Sequence, residues 1–364
     1  MRQLVSTVWH FSHSTYLVML GFAVHSIDHD DLVPLTNDPH PIDDKHSALS
    51  RRRLLTLGGG IAGLAAVGAV YAAYQMRFLQ MLTGVAAPMP DHRVKLPATS
   101  PKLVVARGND PARNVRAVLE RIGGLKQFIS SDDTVLIKPN AAWERIPFQG
   151  ATTTPDVVAE LVRAVRDAGA REVIVAECAV DNPERCIERS GILKAARDAG
   201  AKVILPADST YVDVKIPGKL GTWPVLVPFA AATKIINVPI AKHHGGARVT
   251  AGMKNWIGIT DKRRKLFHAD LDDSIASLAA LMRPTLTLVD ASRILMRNGP
   301  RGGNLDDVRS ANALALSTDP VAIDCWATEL LEARIEDVKY LKLAAERKLG
   351  QLDYKSMAVE VTTG

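Results

Sequence analysis

The feature that most constrains the fold of this chain is an alternation of short apolar runs with longer amphipathic stretches, which begins near residue 102. Amphipathic stretches open with a capping residue and a proline, as at Asp110-Pro111 and Thr154-Pro155, and close at glycine, as at Gly169. These are helix start and stop signals. Alternation of strands and helices is typical of a parallel sheet covered on both faces. The sequence therefore predicts an α/β fold with a mostly parallel, Rossmann-like layered sheet and helices on both faces.

The elements of this fold can be placed along the chain. Strands are predicted at residues 102–106, 134–137, 172–176, 202–205, 233–239, 286–289 and 313–316. Helices are predicted at residues 111–122, 154–168, 183–199, 271–282, 319–331 and 338–348. Two further runs, at residues 211–216 and 223–227, are separated by a turn at Pro217-Gly218 and predict an inserted antiparallel hairpin.

The segment before the α/β region carries a targeting pattern. Ser50-Arg51-Arg52 is followed by an uncharged apolar stretch from residue 54 to residue 74, which is the pattern of a twin-arginine export signal. The stretch is also just long enough to span a bilayer, so residues 50–74 are predicted to be a signal or a membrane anchor. The expected partner is the twin-arginine translocation machinery. The expected location is the periplasm, or the membrane with the fold facing the periplasm.

The remaining boundaries follow from composition. Residues 1–49 are predicted to be a disordered extension or the result of a mis-assigned start codon, because their second half combines acidic residues and turn formers without periodicity. Residues 75–100 are predicted to be a linker, residues 101–350 the α/β domain, and residues 351–364 a C-terminal tail.

Charge and cysteine content exclude several classes of protein. The net charge is +6, which fits an anionic ligand or a membrane surface but is too weak and scattered for nucleic-acid binding. Three cysteines exclude a disulfide-stapled scaffold and a four-cysteine iron–sulfur cluster within the chain. We expect buried structural thiols, among which Cys178, directly after a predicted strand, is the best candidate for a ligand or nucleophile.

The first polar cluster is Ile137-Lys138-Pro139-Asn140, at the end of a predicted buried strand. In open α/β sheets, ligands bind beyond the carboxyl ends of strands. Lys138 and Asn140 are therefore predicted to present an ammonium and an amide to a ligand. The alternative is a loop in which Asn140 only caps the backbone.

The second cluster runs from Lys242 through two histidines and two glycines to Thr250 and Lys254-Asn255. Glycines let the backbone approach an anion closely. If residues 250–256 are helical, Thr250 and Lys254 share a face, and Lys254 would hold a carboxylate or phosphate, or act as a base or nucleophile. Because adjacent side chains point apart, one of His243 and His244 is expected to face the site. The alternative is a basic surface loop.

The third cluster combines the run Lys262-Arg263-Arg264-Lys265 with His268 and is either a solvated face or a lid over an anionic ligand.

Two aspartates complete the candidates. Asp290 follows a predicted strand and is either a site residue or a loop cap. Asp324 lies one turn inside an apolar helix, where a buried carboxylate needs a partner or a metal.

Together these clusters resemble the DUF362 family, whose activity is unsettled. The resemblance covers residues 102–332 and rests on the Lys-Pro-Asn after a strand, the His-x6-Thr-x3-Lys-Asn-x2-Gly run from His243 to Gly258, and the Asp-Pro-Val-Ala-x-Asp run that ends at Asp324. Some members carry ferredoxin-type cysteine motifs; this chain has none, so no iron–sulfur role is implied. Nickel-pincer lactate racemases are a more distant analogy, since they also place lysine and histidines around an anionic substrate.

The expected function is that of a metal- or cofactor-dependent enzyme acting on a small anionic substrate. The cofactor is unknown, and a divalent metal is the candidate. The predicted catalytic residues are Lys254, His243 and His268. The predicted ligand-binding residues are Lys138, Asn140, Thr250, Asn255 and Arg264. The predicted metal ligands are His243, His268, Asp290 and Asp324. The alternatives are a non-catalytic periplasmic ligand-binding or cofactor-maturation protein, and an accessory partner of a membrane complex.

Overall fold

The structure, a computed structural model, describes residues 86–206 and 211–363. The predicted extension at residues 1–49 and the predicted signal or anchor at residues 50–74 lie outside these ranges. Among the helices of the described residues, none is both long and apolar enough to cross a bilayer.

The strands alternate with helices as the sequence predicts, and the mixed α/β fold class is confirmed. The strands are β1 (Leu103–Arg107), β2 (Thr134–Pro139), β3 (Glu172–Ala176), β4 (Lys202–Ile204), β5 (Tyr211–Ile216), β6 (Gly221–Leu226), β7 (Lys234–Val238), β8 (Ile240–His244), β9 (Arg248–Thr250), β10 (Leu286–Leu295), β11 (Val308–Ser317) and β12 (Ala358–Thr362). The helices are α1 (Pro111–Arg121), α2 (Pro155–Asp167), α3 (Pro183–Arg189), α4 (Ile192–Asp198), α5 (Val227–Ala231), α6 (Leu271–Met282), α7 (Pro320–Leu330) and α8 (Lys339–Glu346).

One ten-stranded sheet organises the fold, in the order β12-β1-β11-β10-β7-β2-β3-β4, with β8 beside β10 and β9 beside β8. The strands β10, β7, β2, β3 and β4 run parallel to one another. Only β11 reverses direction within the main row, between β10 and β1. Strands β5 and β6 form the predicted antiparallel hairpin.

Alternate residues of the strands fill two separate apolar cores. On β1, Leu103 and Val105 belong to the core that contains α6, α7 and the hairpin, whereas Val104 belongs to the core under α1, α2 and α4. Successive side chains of a strand point to opposite faces, so the sheet is covered on both sides. This burial on both faces explains why the central strands read as continuous apolar runs.

The helix ends show the expected capping. Asp110 accepts hydrogen bonds from the backbone N–H groups of Ala112 and Arg113, and Asp319 caps α7 in the same way. The predicted helix at residues 183–199 is divided into α3 and α4, because Gly191 between them has a φ of 76°. This left-handed conformation is open to glycine at little cost and ends the first helix.

The sequence missed three strands. Residues 250–256 are not a helix: Thr250 ends β9, and a 3-10 segment follows at Lys254–Ile259. Strand β8 was missed because its polar and histidine residues hide the apolar pattern that identifies strands. Strand β12 lies in the predicted tail and pairs in parallel with β1.

Candidate functional site

A cavity of about 300 Å³ lies where the chain leaves β2 and β3, beside β8. The polar and charged residues that line it are Asn140, Glu177, Cys178, Lys242, His244, Thr250, Lys254, Asn255, Arg264, Lys265 and His268. Its apolar lining includes Trp143, Val180 and Ile257. Loops at the carboxyl ends of parallel strands are where ligands bind in open α/β sheets. Segments from all three predicted polar clusters therefore meet at one place.

Lys138 lies behind the cavity wall and does not line it. Its fully buried ammonium donates to Glu177 Oε2 at 2.7 Å and to Asn255 Oδ1 at 3.2 Å. Burial lowers the pKa of Lys138 and raises the pKa of Glu177, while their mutual attraction opposes both shifts. Lys138 therefore holds the ends of β2 and β3 together instead of binding a ligand directly.

Asn255 connects the buried pair to the rest of the site. Its Oδ1 accepts from the side-chain amide of Asn140 at 3.0 Å as well as from Lys138, and its Nδ2 donates to Asn237 Oδ1 at 2.8 Å. The side-chain amide of Asn237 donates in turn to the backbone carbonyl of Gly252 at 2.9 Å. Asn140 and Asn255 thus position the segment that carries Lys254.

Two lysines, the buried Lys242 and the partly buried Lys254, face this network differently. The Lys242 ammonium donates to Asn140 Oδ1 at 3.0 Å and to the Ala151 carbonyl at 2.5 Å. The Lys254 ammonium makes neither a hydrogen bond nor an ion pair within the described residues. Burial lowers the pKa of each lysine to about 7, and a neighbouring cation adds to the shift, Lys254 for Lys242 and Arg264 for Lys254. Lys254 is thus a cation of the cavity that is open to a ligand.

The histidine that faces the cavity is His244, and the prediction of His243 in this role is corrected. Side chains alternate along β8, so Lys242 and His244 share the face that His243 does not. The Nδ1 of His244 accepts from the backbone N–H groups of Gly246 and Ala247, each at 3.0 Å, which places the proton of the neutral ring on Nε2. His243 Nδ1 instead accepts from the Gly299 N–H at 3.1 Å.

Burial and the neighbouring lysines lower the pKa of His244 to about 2, so its ring stays neutral. The ring of His268, as predicted, also lines the cavity, and the two ring centres are 6.5 Å apart. The cavity therefore contains a neutral imidazole and a second histidine next to the free lysine.

Arg264 fixes the third cluster over the site. Its guanidinium donates to the backbone carbonyls of Cys178 and Ala179, directly after β3, and to Thr260 O at 3.4 Å. Arg264 is only 7% exposed, whereas Arg263 pairs at the surface with Asp261. Within the basic run, Arg264 and Lys265 thus line the cavity, whereas Arg263 belongs to the solvated face.

The predicted metal ligands do not come together. Asp290 accepts from the Thr154 N–H at 2.7 Å and from the Ser292 N–H at 2.9 Å. Asp324 accepts from the backbone N–H groups of Gly252 and Met253. Neither aspartate lines the cavity. Backbone N–H groups already occupy both carboxylates. Across residues 86–206 and 211–363 no group of three or more His, Cys, Asp or Glu side chains is arranged to hold a metal ion.

The cysteines of the described region are all buried and free. Cys178 lines the cavity, and its Sγ lies 3.6 Å from the Tyr211 hydroxyl. Burial raises the pKa of Cys178 to about 11, so it is a protonated thiol at neutral pH. A thiol in this state is a poor nucleophile.

A family model described as a domain of unknown function (DUF362) matches residues 135–329, which span the cavity lining from Asn140 to Pro300. The chain belongs to the DUF362 family. It is 25% identical over 245 residues to a thylakoid-associated protein of Synechocystis sp., covering 65% of this chain and 74% of that protein.

Two solved structures are similar to this DUF362 chain at a low level. A Thermotoga maritima protein has a TM-score of 0.39 and 12% identity over 66% of this chain. The lactate racemase apoprotein from Thermoanaerobacterium thermosaccharolyticum has a TM-score of 0.38 and 12% identity over 66% of this chain. This chain spans only 60% and 61% of those two proteins, respectively.

Sequence reasoning missed Glu177 as a site residue, gave Lys242 no role and chose His243 over His244. Lys242 and His244 stand in the quoted run, and recognising β8 as a strand would have placed both on one face. Glu177 directly follows β3, as Asn140 directly follows β2, so its place after a predicted strand was the available signal. The cavity thus contains one carboxylate that the sequence motifs did not reveal.

Asp324 positions the segment that carries Lys254, and this role is testable. Its carboxylate accepts from Gly252 N at 2.6 Å and Met253 N at 3.1 Å, and Tyr340 donates to it at 3.3 Å. We expect Asp324→Ala to lower the free energy of unfolding by about 2–5 kcal/mol, because two buried N–H groups lose their acceptor. Asp324→Asn, which keeps one acceptor oxygen, should cost less. Chemical denaturation measures both, and equal stability of Asp324→Ala and wild type would contradict this role.

Proposed function

We propose that the cavity binds a small anionic molecule and that the chain is an enzyme that acts on it, with Lys254 in contact with the ligand. The observation that carries this proposal is the partly buried Lys254 ammonium, which lines the cavity without a partner among the described residues. Three further cations line the same space: Lys242, Arg264 and Lys265. Within the described lining, Glu177 is the one carboxylate, and it already pairs with Lys138.

The energetics of these charges favour an anion. A partly buried cation without a counter-ion has lost part of its hydration and gained no attraction in return. A carboxylate or phosphate placed next to Lys254 would supply that attraction through a charge-assisted hydrogen bond. The apolar side chains of Trp143, Val180 and Ile257 offer contacts to the carbon skeleton of the ligand. The volume of about 300 Å³ limits the ligand to a small molecule.

The same lysine is suited to proton transfer. With a pKa of about 7, Lys254 is present in both protonation states at neutral pH. A group in this condition serves as a general acid or base, and the neutral amine is also a nucleophile. The Nε2–H of His244 and the ring of His268 provide further polar groups in the cavity. We assign the catalytic role to Lys254 and His268, with His244 replacing His243.

We also propose that the enzyme depends on a metal or another cofactor. The imidazoles of His244 and His268 are the metal-ligating rings that line the cavity in the described part of the chain. The alternative function, a non-catalytic ligand-binding or cofactor-maturation protein, would use the same cations. It differs in one outcome, since it predicts binding without chemical conversion of the ligand.

Replacing Lys254 tests the anion site. We expect inorganic phosphate, sulfate and small carboxylates to raise the unfolding temperature of the full-length chain. Lys254→Met should weaken binding of the best of these anions by about tenfold or more, because a charged hydrogen-bond donor is lost. Lys342→Met is the control, because this lysine lies on α8 with its side chain 80% exposed. Calorimetric titration gives the affinities, and equal affinity of Lys254→Met and wild type would refute the assignment.

The pKa values of the lysines predict how binding depends on pH. Lys242 and Lys254 have lowered pKa values of about 7, so both gain charge as the pH falls through neutrality. Anion affinity should therefore rise between about pH 8 and pH 6, a range in which simple carboxylates stay ionised. Lys254→Met should show a smaller rise. Titrations with acetate across this range measure the effect, and a flat profile for wild type would show that neither lysine contributes its charge.

We further propose that residues 50–74 direct this chain to the twin-arginine translocation machinery, and that the folded domain works in the periplasm, free or anchored. The support is the Ser-Arg-Arg-x-Leu-Leu pattern that begins at Ser50. Replacing Arg51 and Arg52 together by lysine should abolish export of the full chain carrying a C-terminal reporter. Arg53→Lys, at the variable position of the pattern, is the matched control. Export that survives the double replacement would contradict this targeting.

A further inference from the structure

The two oxygens of the Glu177 carboxylate have different surroundings. Oε2 accepts from the Lys138 ammonium at 2.7 Å and from the Ala141 N–H at 3.2 Å. Oε1 is equally buried but has no hydrogen-bond donor among the described residues. Glu177 itself is 4% exposed and lines the cavity. A buried carboxylate oxygen without a donor is costly, so this atom calls for a partner from outside the chain.

Gly258 packs directly against this oxygen. A Cβ added at Gly258 would lie 2.0 Å from Glu177 Oε1 and 3.0 Å from Lys138 Nζ. The backbone of Gly258 has a φ of −80° and a ψ of 22°, which residues with side chains also adopt. Conformation therefore does not require glycine here, whereas the close approach to Glu177 does.

Other polar groups around the cavity favour an anionic group on the ligand. The Lys254 ammonium and the His244 Nε2–H are donors, and they suit the negative charge of a ligand. Glu177 Oε1 would repel that charge and needs a donor instead. Thr250 Oγ1 is a second buried oxygen of the lining that lacks a partner among the described residues. The cavity therefore matches a molecule that carries both an anionic group and a hydrogen-bond donor.

We propose that the ligand of this cavity is a small hydroxylated or aminated acid, whose hydroxyl or amino group donates to Glu177 Oε1 while its anionic group binds Lys254. The inference rests on the proposed anion-binding function and adds the class of ligand to it. Glu177 is then a specificity-determining residue. An acid without the donor leaves Oε1 unsatisfied in the complex, and binding sites discriminate strongly against analogues that leave a buried polar group unpaired.

Matched ligands test this with the wild-type, full-length chain. Glycolate and glycine carry the donor, acetate lacks it, and methoxyacetate keeps the extra oxygen without the hydrogen. We expect glycolate or glycine to bind about tenfold tighter than acetate, which is the contribution of a hydrogen bond to a charged acceptor. Methoxyacetate should bind no tighter than acetate. Calorimetric titration compares the four, and malate against succinate repeats the comparison with larger acids.

Two variants connect the preference to Glu177. Gly258→Ala places a methyl group where Oε1 lies and forces the carboxylate to shift, and the ratio of the affinities for glycolate and acetate should fall to about one. Glu177→Gln keeps an acceptor oxygen for Lys138 and replaces Oε1 by a donating amide, so it too should lose the preference. If Gly258→Ala does not fold, Glu177→Gln carries the test. A preference that persists in the folded variants would show that Glu177 is not the acceptor and would overturn the inference.

The outcomes separate the two proposals. If none of the acids, nor phosphate or sulfate, binds to wild type, the proposed anion site itself is wrong. If anions bind but glycolate, glycine and acetate bind equally, the anion site stands. In that case water satisfies Glu177 Oε1, and the inferred class of ligand is wrong. A donor preference in wild type that is lost in the variants supports both.

Discussion

The buried ion pair between Lys138 and Glu177 is the interaction on which the site depends. It joins the ends of two neighbouring parallel strands, β2 and β3, at 2.7 Å, with both side chains almost completely buried. Taking two charges out of water costs several kcal/mol per ion, and the cost is offset only when further hydrogen bonds complete the pair. Here Asn255, Pro139 O and the Ala141 N–H do so. The fold therefore keeps a buried ion pair at a position where well-packed apolar side chains are often as stable or more stable.

Periodicity was enough to predict most of this architecture from the sequence. The central strands are buried on both faces and are flanked by capped helices, so β2, β3, β7 and the helix α2 were predicted close to their observed ends. Strand β8 was not, because its lysine and histidines are buried by tertiary packing that no local pattern reveals. That omission made His243 look equivalent to His244.

Candidate site residues could be predicted where a polar residue follows the end of a strand. They could not be predicted where the role of a residue depends on a hydrogen-bond partner that is distant in sequence. Lys138, Asn140, Lys254 and Asn255 were found because their segments are polar interruptions after apolar runs. Glu177 was passed over because its significance comes from Lys138, which is 39 positions away. Asp324 was assigned to a metal because its backbone donors, 71 and 72 positions earlier, cannot be seen from the helix that carries it.

Arg264 gives the cavity a property that its lysines lack. Its guanidinium is a planar fork with several donors, and its bonds to the two carbonyls after β3 hold that charge in place. The ammonium groups of Lys242 and Lys254, by contrast, lose charge near neutrality. In surroundings of changing acidity, the share of the positive potential that the lysines supply would rise and fall, and the capacity of the cavity to exchange protons would change with it.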